Sequence, residues 1–127
     1  MTSGVLSRVD LRVRDALRAK AFYTLLLGAL RHGGKGESDE WSAFWTQHDR
    51  AGDWFAFAED REMIPGTARV AVRADRREDV DRVGALLRAI GAGNVDGPKD
   101  APEPNYYAVY CNDPDGNKLE VCCVAKP

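Results

Sequence analysis

An internal repeat is the feature of this sequence that most restricts its fold. The stretch RVDLRVRD, which starts at Arg8, returns as RVAVRADR from Arg69, 61 residues later (69 − 8). Both stretches alternate apolar and polar residues, which predicts strands with one buried face. Further along, DRAGDWFAFA from Asp49 aligns with DPDGNKLEVC from Asp113, 64 residues later (113 − 49). A repeat of this length predicts two copies of one supersecondary unit.

A helix is predicted after the first strand of each copy. In the first copy Asp15 precedes apolar residues at helical spacing, and Gly28 ends the run. In the second copy we expect Asp75 to cap the helix, with Glu78 three residues later completing a capping box and Gly91 ending it. Two or three strands follow each helix in the pattern. The simplest architecture is therefore α+β, built from two tandem βαβββ modules.

Two glycine- or proline-rich segments and two further glycines are interpreted as loops and turns. Residues 32–40, HGGKGESDE, predict a flexible connection, and residues 93–104, with three prolines, predict a loop and candidate lid. Gly52 and Gly116 fall at equivalent positions of the repeat. Both are predicted to lie in turns, where a positive φ costs glycine little.

The bulk properties exclude several classes of protein. A formal net charge of -2 argues against a nucleic-acid-binding role, because phosphate contacts require a basic surface. Apolar runs are too short to span a bilayer, and the N-terminus lacks the apolar core of a signal peptide, so we expect a cytoplasmic location. Cys111, Cys122 and Cys123 show no zinc-binding spacing, and we interpret them as reduced thiols in the core.

At this point the chain resembles the vicinal oxygen chelate superfamily, which includes glyoxalase I, extradiol dioxygenases and the fosfomycin- and bleomycin-resistance proteins. The resemblance rests on RVDLRVRDALRAKAFYTLLLGAL (residues 8–30) and YYAVYCNDPDGNKLEV (residues 106–121). It implies one domain, 1–127, with module one at about 5–60 and module two at about 66–124. It also implies that the two modules form a curved mixed sheet around a cleft, and that the chain is a homodimer.

Members of this family typically hold a divalent metal on four inward side chains. The positions that match them here are Arg8, Ala56, Arg69 and Glu120. Only Glu120 has a metal-binding group, because arginine stays protonated and alanine has no donor. The two histidines, His32 and His48, fall elsewhere, and we interpret them as structural or solvent-facing. We therefore expect neither a metal of the family type nor any other cofactor.

Two uses of the matching arginines remain open. Arg69 or Arg8 could form an ion pair with Glu120 in the space that a metal would occupy. Alternatively, one of these arginines could face the cleft and recognise an anionic ligand. Trp54 shares strand parity with Ala56, so we predict that it faces the cleft and stacks on a planar ligand.

Three functional hypotheses follow. The first is a metal-independent binding protein, similar to the bleomycin-resistance branch, that holds a planar or aromatic and possibly anionic small molecule with Arg8, Arg69, Trp54 and Glu120. The second is a glyoxalase-like lyase or isomerase, or a dioxygenase relative, in which Glu120 is catalytic. The third is a structural or regulatory module whose site has decayed. Fold alone does not choose among them.

Overall fold

The computed structural model describes residues 6–30, 34–37, 41–46 and 49–125. The chain divides into two compact units, Met1–Ile64 and Pro65–Pro127. Each unit contains one copy of the repeat, in the order strand, helix, three strands. The predicted α+β architecture of tandem βαβββ modules is thus confirmed. Neither helix of the described ranges has the length and hydropathy that crossing a membrane requires.

The first unit is a four-stranded mixed sheet with one helix. Its elements are β1 (Arg8–Val13), α1 (Ala16–Gly28), β2 (Gly34–Glu37), β3 (Trp41–Thr46) and β4 (Asp49–Glu59). The strand order is β1-β4-β3-β2. The β1–β4 pair is parallel and the other two pairs are antiparallel.

The second unit repeats this topology. Its elements are β5 (Arg69–Arg73), α2 (Arg77–Ala89), β6 (Gly93–Asp100), β7 (Tyr106–Asn112) and β8 (Lys118–Val124). The strand order is β5-β8-β7-β6, with a parallel β5–β8 pair and antiparallel β8–β7 and β7–β6 pairs. The first strand of each module therefore pairs with the last, which brings residues about 50 positions apart in sequence into register.

Each helix covers one face of its own sheet. In the first unit the ring of Tyr23 lies 4.9 Å from the ring of Phe55 and 5.2 Å from that of Phe57. In the second unit a fully buried stripe on α2 packs towards β7 and β8; the buried apolar residues are Val80, Val83, Leu87, Val109, Leu119 and Val121. The alternating strand pattern then places the intervening residues on the opposite, open face of each sheet.

The two helices begin differently from one another. Asp15 caps α1 as predicted, and its side chain accepts hydrogen bonds from the backbone N–H groups of Leu17 and Arg18. The capping box predicted for α2 is wrong. Its N-cap is Arg76, which makes no side-chain capping bond. Acidic residues in the first turn still interact favourably with the positive end of this helix.

Three segments predicted to be loops or turns are strands. Most of residues 93–104 forms β6, an irregular edge strand whose register with β7 shifts twice. Residues 34–37 of the glycine-rich connection form β2, and Gly52 lies within β4. Gly116 is in a turn as predicted, with a φ of +91°. Backbone pairing with a neighbouring strand outweighs local turn composition at these places, because each pairing satisfies backbone polar groups.

Candidate functional site on the open face of the second sheet

Strand alternation places Glu120 on the open face of the second sheet. Its neighbours on β8, Leu119 and Val121, are buried on the helix-covered side. In register, Glu120 lies between Ala71 of β5 and Tyr110 of β7. The small alanine leaves room beside the carboxylate. The predicted site residue thus lies on the sheet face that α2 does not cover.

A phenol, and not a guanidinium, pairs with Glu120. Glu120 is only 8% exposed, and its Oε2 accepts a hydrogen bond from the hydroxyl of Tyr106. The hypothesis of an Arg69–Glu120 ion pair is wrong. Arg69 is in register with Lys118, two positions before Glu120, and its guanidinium lies over the ring of Tyr110 instead.

The environment of Tyr106 keeps its hydroxyl protonated. Burial is the largest cause that raises the pKa of Tyr106 far above its usual value, followed by the contacts with Cys122 and Glu120. A protonated phenol can only donate to the carboxylate, so the direction of this hydrogen bond is fixed. The hydrogen bond orients the carboxylate of Glu120, and its Oε1 can accept a hydrogen bond from another donor.

Tyr110 lies between two cationic side chains. The guanidinium carbon of Arg69 is 5.1 Å from the ring centroid, and Lys99 Nζ is 5.7 Å from it. Both distances permit cation–π attraction. Burial first and the charge of Glu120 second raise the pKa of Tyr110, while Lys99 and Arg69 oppose that shift. Its hydroxyl therefore stays protonated at neutral pH and can donate to a bound molecule.

A cavity of about 670 Å³ opens next to this ring. Its volume is in the range of sites that hold drug-sized molecules. The lining residues are Arg69, Asn94, Asp96, Lys99, Asp100, Ala101, Pro102, Tyr110, Cys111, Asn112 and Lys118. Arg69 therefore lies where a ligand could reach it. Glu120 does not line the cavity. Tyr110 does line it, and it lies close enough to Glu120 for the charge of that carboxylate to raise its pKa.

The first unit has its own open face, which carries the other predicted site residues. Trp54 and Ala56 alternate with Phe55 and Phe57, which contact α1, so both lie on the opposite side of the sheet. Trp54 is in register with Arg8. Arg8 is exposed, and its nearest carboxylate partner is Asp10, at 3.9 Å. The prediction that these residues share a cleft with Arg69 and Glu120 stays a prediction.

The side chains at the family's metal positions do not suit a divalent cation. In the second unit Arg69 offers only a permanent positive charge, and the carboxylate of Glu120 already accepts from Tyr106. In the first unit Arg8 is cationic and Ala56 has no donor atom. Among the residues that the structure describes, no three His, Cys, Asp or Glu side chains form a metal-binding group. His32 and His48 lie outside those residues.

The sequence patterns did not predict Tyr106, Tyr110, Asn112 or Lys118 as site residues. Alternation along β8 could have found Lys118, because it lies two residues before Glu120 and so shares its face. The pairing of β7 with β8 aligns Asn112 with Lys118, and no local pattern in the sequence predicts that register.

Comparison with known proteins identifies the family. A model of the Glyoxalase/Bleomycin resistance protein/Dioxygenase superfamily matches residues 5–121. The chain belongs to this superfamily. Its site thus combines the superfamily's fold with a set of residues in which arginines stand at two of the four metal positions. No curated protein sequence matches the chain.

Solved structures of the superfamily cover nearly the whole chain. One is a candidate glyoxalase from Bacillus halodurans, with a TM-score of 0.76 and 27% identity, covering 94% of this chain and 96% of that one. A glyoxalase/bleomycin resistance protein from Albidiferax ferrireducens T118 has a TM-score of 0.81 and 24% identity, covering 98% and 100%. The fosfomycin resistance protein FosX from Listeria monocytogenes has a TM-score of 0.71 and 20% identity, covering 98% and 96%. The last two likenesses concern the fold alone.

Proposed function

We propose that this superfamily member is a metal-independent binding protein for a planar, aromatic small molecule. The observation that carries the proposal is the cavity of about 670 Å³ beside Tyr110, on the sheet face that α2 leaves open. An aromatic ring next to the cavity gives a flat ligand a surface to contact, and polar side chains around it can orient the ligand. The small, exposed side chain of Ala71 leaves space on this face of the sheet.

The side chains at the family's metal positions favour binding without a metal. Arg8 and Arg69 stand at two of the positions where the family uses metal ligands, and a guanidinium repels a divalent cation. A single carboxylate, Glu120, binds such an ion weakly. We therefore expect ligand binding to be unchanged by a chelator.

Binding of an uncharged planar probe tests this function. N-phenyl-1-naphthylamine becomes fluorescent in an apolar site, so its titration measures affinity directly. We expect saturable binding near one probe per chain, the same affinity with and without EDTA, and no stoichiometric transition metal by elemental analysis. Absence of saturable binding, or binding that EDTA abolishes, would contradict the proposal.

The Tyr106–Glu120 pair favours an enzyme as the second candidate. Glu120 is buried and its carboxylate accepts a hydrogen bond from a protonated phenol, an arrangement that suits proton transfer at a substrate carbon or oxygen. The reaction would be that of a lyase or isomerase. Turnover of a bound ligand that Glu120→Gln abolishes, with the ligand's affinity kept, would favour the enzyme. Unchanged ligand after prolonged incubation with wild-type protein would favour the binding protein.

Two further expectations from the family resemblance remain proposals. We propose that the protein is a homodimer and that Arg8 and Trp54 contribute to ligand binding together with Arg69. Sedimentation equilibrium measures the first, with a single species of 14.0 kDa contradicting it. Trp54→Phe tests the second, since loss of tryptophan quenching by a bound planar ligand is expected only if Trp54 contacts it.

A further inference from the structure

We propose that the cavity of the second unit contains a seat for the anionic group of its ligand, formed by Arg69, Lys118 and Asn112. This inference rests on the proposed function and specifies the ligand class: an aromatic molecule that carries a carboxylate, sulfonate or similar anion. Three observations support it: the register of the strands, the ion pairs of the cavity and the position of Arg69. Each of these concerns the second unit alone.

The strand register aligns the three side chains in one row across the sheet. Arg69 of β5 is in register with Lys118 of β8, and Lys118 is in register with Asn112 of β7. Neighbouring strands lie about 4.8 Å apart, so the row presents two cations and an amide over about 10 Å. All three residues line the cavity. Such a row can donate several hydrogen bonds to one anionic group.

The two cations of this row lack carboxylate partners. The cavity's acids are engaged elsewhere: Asp96 Oδ2 is 2.7 Å from Lys99 Nζ, and Asp100 Oδ1 is 3.2 Å from Arg77 Nη2. Within the described parts of the chain, neither Arg69 nor Lys118 has a carboxylate oxygen within 4.0 Å. Lys118 is half-buried, so solvent screens its charge only in part.

Like charges at directly opposed positions of a sheet destabilise the folded protein. Arg69 and Lys118 occupy such positions on adjacent strands. An anion bound between them would remove this repulsion and add charge-assisted hydrogen bonds. Two neighbouring cations without a carboxylate partner therefore favour an anion at this row.

Arg69 is also held in position before a ligand arrives. Its guanidinium lies over the ring of Tyr110, with its carbon 5.1 Å from the centroid. A side chain that is already ordered loses less conformational entropy on binding. The protonated hydroxyl of Tyr110 adds a donor at the same side of the cavity. An aromatic body that extends from the anion would then lie along the tyrosine.

A pair of matched probes tests the seat. 8-Anilinonaphthalene-1-sulfonate and N-phenyl-1-naphthylamine share one aromatic scaffold, and only the first carries an anion. We expect the sulfonate to bind wild-type protein at least fivefold more tightly, with added KCl reducing this preference. Arg69→Gln and Lys118→Gln should each abolish the preference, because each removes a cation that contacts the sulfonate and not the uncharged probe's aromatic scaffold.

Arg73→Gln is the matched control, because Arg73 lies on the same strand and the same face but does not line the cavity. It removes one positive charge and should keep the preference. Equal binding of both probes to wild type would overturn the seat and leave the proposed function standing. A preference retained in both Arg69→Gln and Lys118→Gln, or lost equally in Arg73→Gln, would also overturn it. Failure of both probes to bind would overturn both proposals.

Discussion

The hydrogen bond between Tyr106 and Glu120 should contribute measurably to stability. Tyr106→Phe keeps the ring and removes only the hydroxyl that donates to Glu120 Oε2. Glu120 is buried, so water replaces the lost donor poorly. Hydrogen bonds to charged groups contribute about 1.5–3 kcal/mol to the free energy of unfolding. We therefore expect Tyr106→Phe to destabilise the protein by about this amount.

Thermal and urea unfolding measure the effect. For 127 residues, an unfolding entropy of about 2.1 cal/mol/K per residue gives about 270 cal/mol/K in total, so the expected loss lowers Tm by about 6–11 °C. Glu120→Gln keeps an acceptor for the phenol, and a double-mutant cycle with both changes isolates the energy of the pair.

Tyr107→Phe is the control for the loss of a tyrosine hydroxyl. That hydroxyl donates to Oδ1 of Asp81 at 2.5 Å on the helix-covered side, where the bond is exposed to solvent. Its loss should lower the free energy of unfolding by less than about 1 kcal/mol. Equal losses in Tyr106→Phe and Tyr107→Phe, or no coupling between Tyr106 and Glu120, would refute the reasoning.

Three further predictions concern pH, packing and thiol reactivity. The pKa of Tyr106 in the folded protein is raised above its unfolded value of about 10. Above that pH the folded protein therefore binds more protons than the unfolded chain does. Stability should therefore fall as the pH rises beyond about 10, less steeply in Tyr106→Phe, and urea unfolding at pH 9 and 11 measures the difference. Gly84→Ala places a Cβ 2.8 Å from Cδ of Pro98 and should lower the free energy of unfolding by about 1–3 kcal/mol. Gly28→Ala meets no atom within 4 Å and should leave stability nearly unchanged. Thermal unfolding of both variants measures the difference. Burial raises the pKa of Cys111 to about 12, so iodoacetamide at pH 8 should label it only after denaturation; rapid labelling of the native protein, followed by mass spectrometry, would contradict its buried position.

Some of the candidate site was predictable because alternation along a strand is a local property. Leu119 and Val121 are apolar and Glu120 is not, so the sequence alone predicts that Glu120 lies on the face away from the core. Alternation along the strand also predicted that Trp54 and Ala56 share a face. It could not say which residue approaches the carboxylate, because Tyr106 reaches Glu120 from another strand, 14 positions away.

The predicted Arg69–Glu120 pair shows where this kind of reasoning fails. Alternation correctly places both residues on one face, but their separation depends on the register between β5 and β8. That register aligns Arg69 with Lys118 and Ala71 with Glu120. A shift of two residues along a strand moves a side chain by about 7 Å, which is enough to separate an ion pair. Arg69 instead contacts Tyr110.

The sequence by itself determined the two βαβββ modules, the helix cap at Asp15 and the turn at Gly116. These features depend on hydrophobic period, on capping and on backbone freedom, which are properties of neighbouring residues. Only the tertiary structure decided that residues 93–100 form an edge strand and that Arg69, Lys118 and Asn112 make one row. The physical reason is that strand pairing joins distant residues, and its register is set by the packing of a whole sheet face.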